Sequence, residues 1–203
     1  MSRFRYLTTG ESHGPGLTIV IEGLPAGIGI SEEYIRRDLA RRQGGYGRGG
    51  RQKIETDWAR IRAGIRHGYT MGSPIALLID NKDWENWHEV MSPAPIERQL
   101  NTITRLRPGH ADTTGTIKYG LDDVRPTLER SSARETASRV AVGAVSRRFL
   151  EYFGIEIHSH VVNIGGVEAQ VPEAINWDAV EESPVRTIDK DAEARIDRKS
   201  TRL

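Results

Sequence analysis

The chain has 203 residues, enough for one large domain with a substantial core, and its formal net charge of +1 gives no general attraction to polyanions. It has no cysteine, which excludes disulfides, thiolate metal sites and a cysteine nucleophile. No apolar run reaches membrane-spanning length and no signal-peptide core opens the chain, so a soluble, cytoplasmic protein is the expectation.

Apolar runs at Phe4–Leu7 and Leu17–Ile21 predict two short strands around Gly10-Glu11-Ser12-His13-Gly14-Pro15-Gly16. Three glycines and a proline there mean turns and exposed amide groups, with a serine, a histidine and a glutamate side by side. Gly10-x-Ser12-x-Gly14 matches the nucleophile elbow of serine hydrolases, but that motif needs a helix after the serine, and a β-branched run follows here. His13 is the more informative residue, because imidazole changes charge near neutral pH. Taken alone, it also reads as a surface histidine in a hairpin turn.

Gly23–Gly29 reads as a turn-rich link. Ser31 then caps a helix reaching about Arg42, with Glu32 and Glu33 in its first turn and Ile35 and Leu39 as its apolar stripe. The helix runs into Gln43-Gly44-Gly45-Tyr46-Gly47-Arg48-Gly49-Gly50-Arg51. This stretch fits neither the Walker pattern nor a dinucleotide fingerprint. Composition leaves three readings open: an anion clamp, a segment stacking on single-stranded nucleic acid, or a solvated loop. The cations are nearly all arginine, with lysine only at Lys53, Lys82, Lys118, Lys190 and Lys199. Arginine's rigid fork suits carboxylate and phosphate.

Short strands are expected at Ile54–Asp57, Ile61–Ile65 and Pro74–Ile79, with Trp84 and Trp87 as surface packing or a subunit contact. A short helix is expected from Pro95 to about Thr104. In Arg107-Pro108-Gly109-His110-Ala111-Asp112, an aspartate two residues after a histidine can orient its ring. The longest helix is placed at about Glu129–Phe153. Ala133, Ala137, Val140, Ala141, Ala144 and Val145 repeat at helical spacing, Phe149 and Phe153 extend the face, and Gly154 ends it. Arg130-Ser131-Ser132-Ala133-Arg134 at its start reads as an anion site at a positive helix end, or as an ordinary cap. Ile155–Gly165 reads as a strand whose His158 and His160 are structural, with no carboxylate or third histidine near enough for a metal site. A last helix is expected to begin near Asp191.

These loops together resemble the chorismate synthase family. Gly10–Gly14 followed by Leu17–Gly23, then Arg41–Arg51, Arg107–Asp112 and Glu129–Thr136, match four family blocks in order, and the resemblance runs from Phe4 to the Asp191 region. It implies an α+β fold, a β-α-β sandwich that is incomplete here, assembled as a homotetramer. Family members continue for well over another hundred residues, including a signature with a catalytic aspartate and part of the flavin pocket. Residues 1–203 are therefore expected to be the N-terminal part of one domain, inactive alone, with about 196–203 a foreign or disordered tail.

The resemblance implies removal of phosphate from 5-enolpyruvylshikimate 3-phosphate by 1,4-anti elimination, with reduced FMN as cofactor and NAD(P)H as a candidate reductant. It places His13 against the reduced flavin and His110 near the substrate or departing phosphate. Arg42, Arg48, Arg51, Arg107 and Arg134 would clamp the anions, and Arg130, Ser131 and Ser132 would contact FMN. No metal, nucleic acid or membrane is implied. Two readings of other classes stand beside it: a single-strand-binding module using Gly44–Arg51, and a serine hydrolase acting through Ser12.

Overall fold

The structure, a computed structural model, describes residues 3–44, 56–98 and 100–200. Along the chain come β1 (Arg5–Thr9), β2 (Gly16–Glu22), β3 (Ala26–Gly29), α1 (Glu32–Gln43), β4 (Ala59–Ala63), β5 (Ile65–Arg66), β6 (Tyr69–Met71) and β7 (Ile75–Asp80). There follow α2 (Asp112–Tyr119), α3 (Arg125–Arg130), α4 (Thr136–Glu151), β8 (Asn163–Ile164), β9 (Val167–Glu168), α5 (Trp177–Glu182) and α6 (Lys190–Ser200). The fold class is α+β.

The core begins with period-two alternation in β2 and β7. Leu17, Ile19 and Ile21 point to one face, and antiparallel register sets them opposite Ile79, Leu77 and Ile75. All six are buried, each worth about 1.5–3 kcal/mol of transfer from water. The sheet order is β1-β2-β7-β4, antiparallel throughout, and a second small sheet pairs β3, β6 and β5. One face of the larger sheet is covered by Ile35 and Leu39 of α1 and by Ala137, Ala141, Ala144 and Val145 of α4. The small side chains on α4 let its axis approach both the sheet and α1.

Helix α1 starts where its residues say it should. Ser31 Oγ accepts the Tyr34 N–H at 3.1 Å, and Glu32 and Glu33 occupy the positive first turn. It is tied to α4 by the Tyr34 hydroxyl, which donates to Glu151, and by Arg147 on Asp38 at 2.8 Å. A separate small cluster of Val167, Ala192 and Ile196 packs α6 against β9.

Several expectations are corrected. The link at Gly23–Gly29 contains β3, because its backbone pairs with β6 despite the glycines. Residues 95–98 and 100–104 carry no helix; Ile103 is instead held from residues 123 and 124, its N–H donating to the Asp123 side chain at Oδ1 and its carbonyl accepting the Val124 N–H. Thr56 and Asp57 form no strand, while Ile54 and Glu55 lie outside the described residues. The expected 25-residue helix is divided into α3, a 3-10 turn at Ala133–Glu135 and α4, so Ala133 is exposed and the buried stripe begins at Ala137. Of the strand placed at Ile155–Gly165 only Asn163–Ile164 pairs, with β9. Helix α2 was not anticipated, since its short run Asp112-Thr113-Thr114-Gly115-Thr116 has little helical propensity and depends on packing against α3.

That packing is close. A Cβ on Gly115 would lie 2.2 Å from Thr127 Cγ2, whereas one on Gly143 of α4 meets nothing within 4 Å. Gly115→Ala is expected to destabilise by about 1–3 kcal/mol through overpacking. Gly143→Ala is expected to stabilise by up to about 1 kcal/mol through helix propensity. Urea unfolding midpoints of the two variants decide it, and a Gly115→Ala midpoint at or above the wild type would refute the α2–α3 contact.

Candidate functional site

The loop between β1 and β2 is held from two sides. Gly10 has φ +105°, and a Cβ there would sit 2.3 Å from the Gly16 carbonyl, so only glycine closes this turn. On one side Asn81, buried at the end of β7, donates its amide to the carbonyls of Gly14 at 2.7 Å and Ser12 at 3.4 Å, and its own N–H to Pro15 at 3.0 Å. On the other side Glu129 of α3 takes the Ser12 N–H on its carbonyl at 3.1 Å and the His13 N–H on Oε2 at 2.9 Å. The same carboxylate meets His13 Nδ1 at 2.8 and 3.0 Å. Its side chain is fully buried, and Arg125 reaches Oε1 at 3.4 Å. The Trp87 ring stacks on the imidazole with centroids 3.8 Å apart.

The serines expected at a helix start lie in the break between α3 and the 3-10 turn. Ser132 Oγ donates to Ser12 Oγ at 3.0 Å and accepts the Arg134 N–H at 3.3 Å, while Ser131 Oγ donates to the Thr127 carbonyl. Arg130 donates to the Thr8 carbonyl at 2.7 Å, which fastens α3 to β1. The long helix thus begins four residues beyond Ser132, so these hydroxyls do not cap its first turn. Ser12 is followed by β2, and its hydroxyl accepts from Ser132, which is not the arrangement of a nucleophile elbow.

Arg42 and Arg134 meet on one buried carboxylate. Arg134 donates to Asp57 Oδ1, and Arg42 lies 3.3 Å from Asp57 Oδ2 while also donating to Thr136 Oγ1 and the Ala133 carbonyl. Arg48 and Arg51 lie outside the described residues. Arg107, His110 and Asp112 form the third group. Arg107 grips the fully buried Asp112 carboxylate with two side-chain nitrogens and its backbone N–H, all at 2.9 Å, and His110 Nδ1 lies 2.9 Å from Asp112 Oδ1. The hydrogen bonds from Arg107 hold the Asp112 carboxyl well below the usual carboxylate range, against the cost of burial. The charge of Glu129 also acts on Arg107, so the two histidine groups share one electrostatic neighbourhood.

The structure therefore joins His13 to Ser132 through Ser12, Arg42 to Arg134 through Asp57, and His110 to Arg107 through Asp112. Sequence reasoning singled out none of Glu129, Asp57, Asn81 and Trp87 as site residues. Glu129 opens a matched block but has no local mark of its role; the other three act only through contacts far along the chain. His158 and His160 pack on Trp177, with centroids 4.5 and 5.9 Å away. A carboxylate does stand near, contrary to expectation: Glu156 is 3.1 Å from His158.

The residues fit part of a flavin site. A ribityl phosphate calls for cations and hydroxyls, which Arg130, Ser131 and Ser132 supply beside the His13 loop, Arg130 being partly exposed.

The chorismate synthase family model matches residues 4–202. Chorismate synthase of Enterococcus faecalis is 52% identical over 199 residues, covering 95% of this chain and 51% of its own length. That of Moorella thermoacetica is 56% identical over 191 residues, covering 93% and 49%. A solved structure, titled as the crystal structure of chorismate synthase, superposes with TM-score 0.76 at 39% identity, over 100% of this chain and 54% of that one. The chain thus spans about half the length of the curated relatives it matches.

The Asp112 group gives a pH test. A carboxyl whose folded pKa is depressed stabilises fully above its unfolded value of about 3.9, and less as pH falls toward the folded value. Asp112→Asn is expected to cost on the order of 1–3 kcal/mol at pH 6, a difference that narrows below about pH 4. Urea unfolding of both proteins across this range checks it; a pH-independent difference would show that the ionised carboxylate contributes nothing.

Proposed function

The chain belongs to the chorismate synthase family, and on that premise we propose that it forms the N-terminal part of an enzyme eliminating phosphate from 5-enolpyruvylshikimate 3-phosphate to give chorismate. The single observation that carries the reading is the His13 loop, an imidazole fixed by a buried carboxylate beside a serine pair and an arginine-rich neighbourhood. A substrate with two carboxylates and a phosphate needs fixed bidentate cations. Arg107 and Arg134 are each oriented by a buried aspartate, which lowers the entropy lost when an anion binds. Arg42 joins them through Asp57, and Arg48 and Arg51 are assigned to the same clamp by resemblance.

His13 is the group that exchanges or holds a proton at the cofactor, and His110 does so near the leaving phosphate. Each imidazole has a carboxylate oxygen within hydrogen-bond distance of its Nδ1, which orients the ring for that transfer. Arg130, Ser131 and Ser132 would hold FMN, which when bound and reduced supplies the electron that helps phosphate leave; NAD(P)H is the proposed reductant. The reading includes cytoplasmic location and a homotetramer, which would cover apolar side chains such as Leu7, 71% exposed on β1. Among the described residues no helix is long and apolar enough to cross a membrane.

The test is a chimera in which this chain replaces the matching N-terminal half of the Enterococcus faecalis relative. With reduced FMN it is expected to release phosphate from the substrate, and His13→Ala or His110→Ala is expected to lower turnover about a hundred- to ten-thousand-fold. Residues Met1–Leu203 alone are expected to show little turnover. A folded chimera without phosphate release, or one indifferent to both histidines, would overturn the proposal.

A further inference from the structure

We propose that Glu129 is a positioning residue that sets the tautomer of His13, holding the proton of the neutral ring on Nδ1 and leaving proton exchange to Nε2. The inference rests on the proposed function for its catalytic meaning, but its structural content stands on geometry alone. In a neutral imidazole one nitrogen carries the proton and the other accepts, and the partner of one nitrogen decides which. His13 Nδ1 lies 2.8 and 3.0 Å from the two oxygens of Glu129. An ionised carboxylate only accepts, so the nitrogen facing it must carry the hydrogen.

Two other donors reach Glu129 and hold it turned toward the ring. The His13 backbone N–H donates to Oε2 at 2.9 Å, and Arg125 Nη1 stands 3.4 Å from Oε1. Arg107 adds positive charge from the neighbouring turn. The ring has little freedom to flip away. Its backbone is fixed through the Ser12 and His13 amides, and Trp87 is stacked on its face. The Arg125 guanidinium lies 5.8 Å from the centroid of that indole, so the same cation steadies both the carboxylate and the stacking partner. The device is assembled from α3 and from Trp87, which follows the 3-10 turn at Trp84–Asn86.

A glutamine at 129 no longer enforces that tautomer. The His13 amide and Arg125 approach different carboxylate oxygens, and a carboxamide has a single oxygen. Its NH2 must face either a donor or Nδ1, and facing Nδ1 it favours the proton on Nε2. Where an amide in place of an orienting carboxylate puts a catalytic histidine in the wrong tautomer, the loss can reach about ten-thousand-fold.

The experiment is nitrogen NMR of ring-labelled His13 in the 203-residue chain, without substrate or flavin, at a pH where the ring is neutral. The wild type is expected to show the Nδ1-protonated pattern as the dominant form. Glu129→Gln is expected to lose that dominance while keeping the wild-type amide spectrum away from the loop. In the chimera it is expected to lower turnover at least about tenfold. A wild-type ring protonated on Nε2 overturns the inference without any variant, as does a Glu129→Gln protein that keeps the Nδ1–H form. An inactive chimera with the expected tautomers would instead count against the proposed function, so the two failures are separable.

Discussion

A carboxylate with no solvent exposure must be satisfied by the protein, and that constraint at Glu129 organises the loop that carries His13. Burying an unpaired charge costs several kcal/mol, so the fold has to bring donors to it from elsewhere. It does so with the backbone of residue 13, the imidazole of the same residue, and Arg125 one turn back along α3. Because two of those donors belong to His13, 116 residues from Glu129 in the sequence, satisfying the carboxylate also closes the tertiary structure around it.

The same solution recurs twice nearby. Asp57 collects Arg42 and Arg134, and Asp112 collects Arg107 and His110. Each buried acid converts flexible cationic side chains into fixed ones. Arginine is suited to this because its fork can give part of its donors to an internal acid and keep the remainder for a ligand. The cost is conditional stability. The Asp112 group contributes most when its acid is ionised, which makes the dependence measurable.

Beneath the site lies a sheet whose six central side chains pair directly across β2 and β7, and a helix whose alanines let it settle on them. This platform ends at Asp80 and Asn81, and Asn81 turns at once to grip the His13 loop through two carbonyls. Rigidity in the core is thereby carried directly into the loop. The breaks that sequence reasoning overlooked serve the same end. If the chain ran as one helix from Glu129 to Phe153, Ser132 would be carried round the helix and away from Ser12.

Strong local periodicity was legible from the residues alone. The apolar runs at Leu17–Ile21 and Pro74–Ile79, the Ser31 cap with Ile35 and Leu39, and the small-residue stripe of α4 all encode their structure within a few positions, and the structure follows them. The four matched blocks likewise identified the family, because each is a contiguous string. What only the tertiary structure decided is pairing at a distance. Nothing near Glu129 says that it will hold His13, nothing near Asp57 that it will hold Arg134, and Trp87 reads as surface until an imidazole lies against it. The weakly periodic segments α2 and β3 belong to the same class, since neighbours rather than intrinsic preference select their conformation. A local pattern fixes which face an element buries; which carboxylate meets which cation depends on how distant elements are packed together.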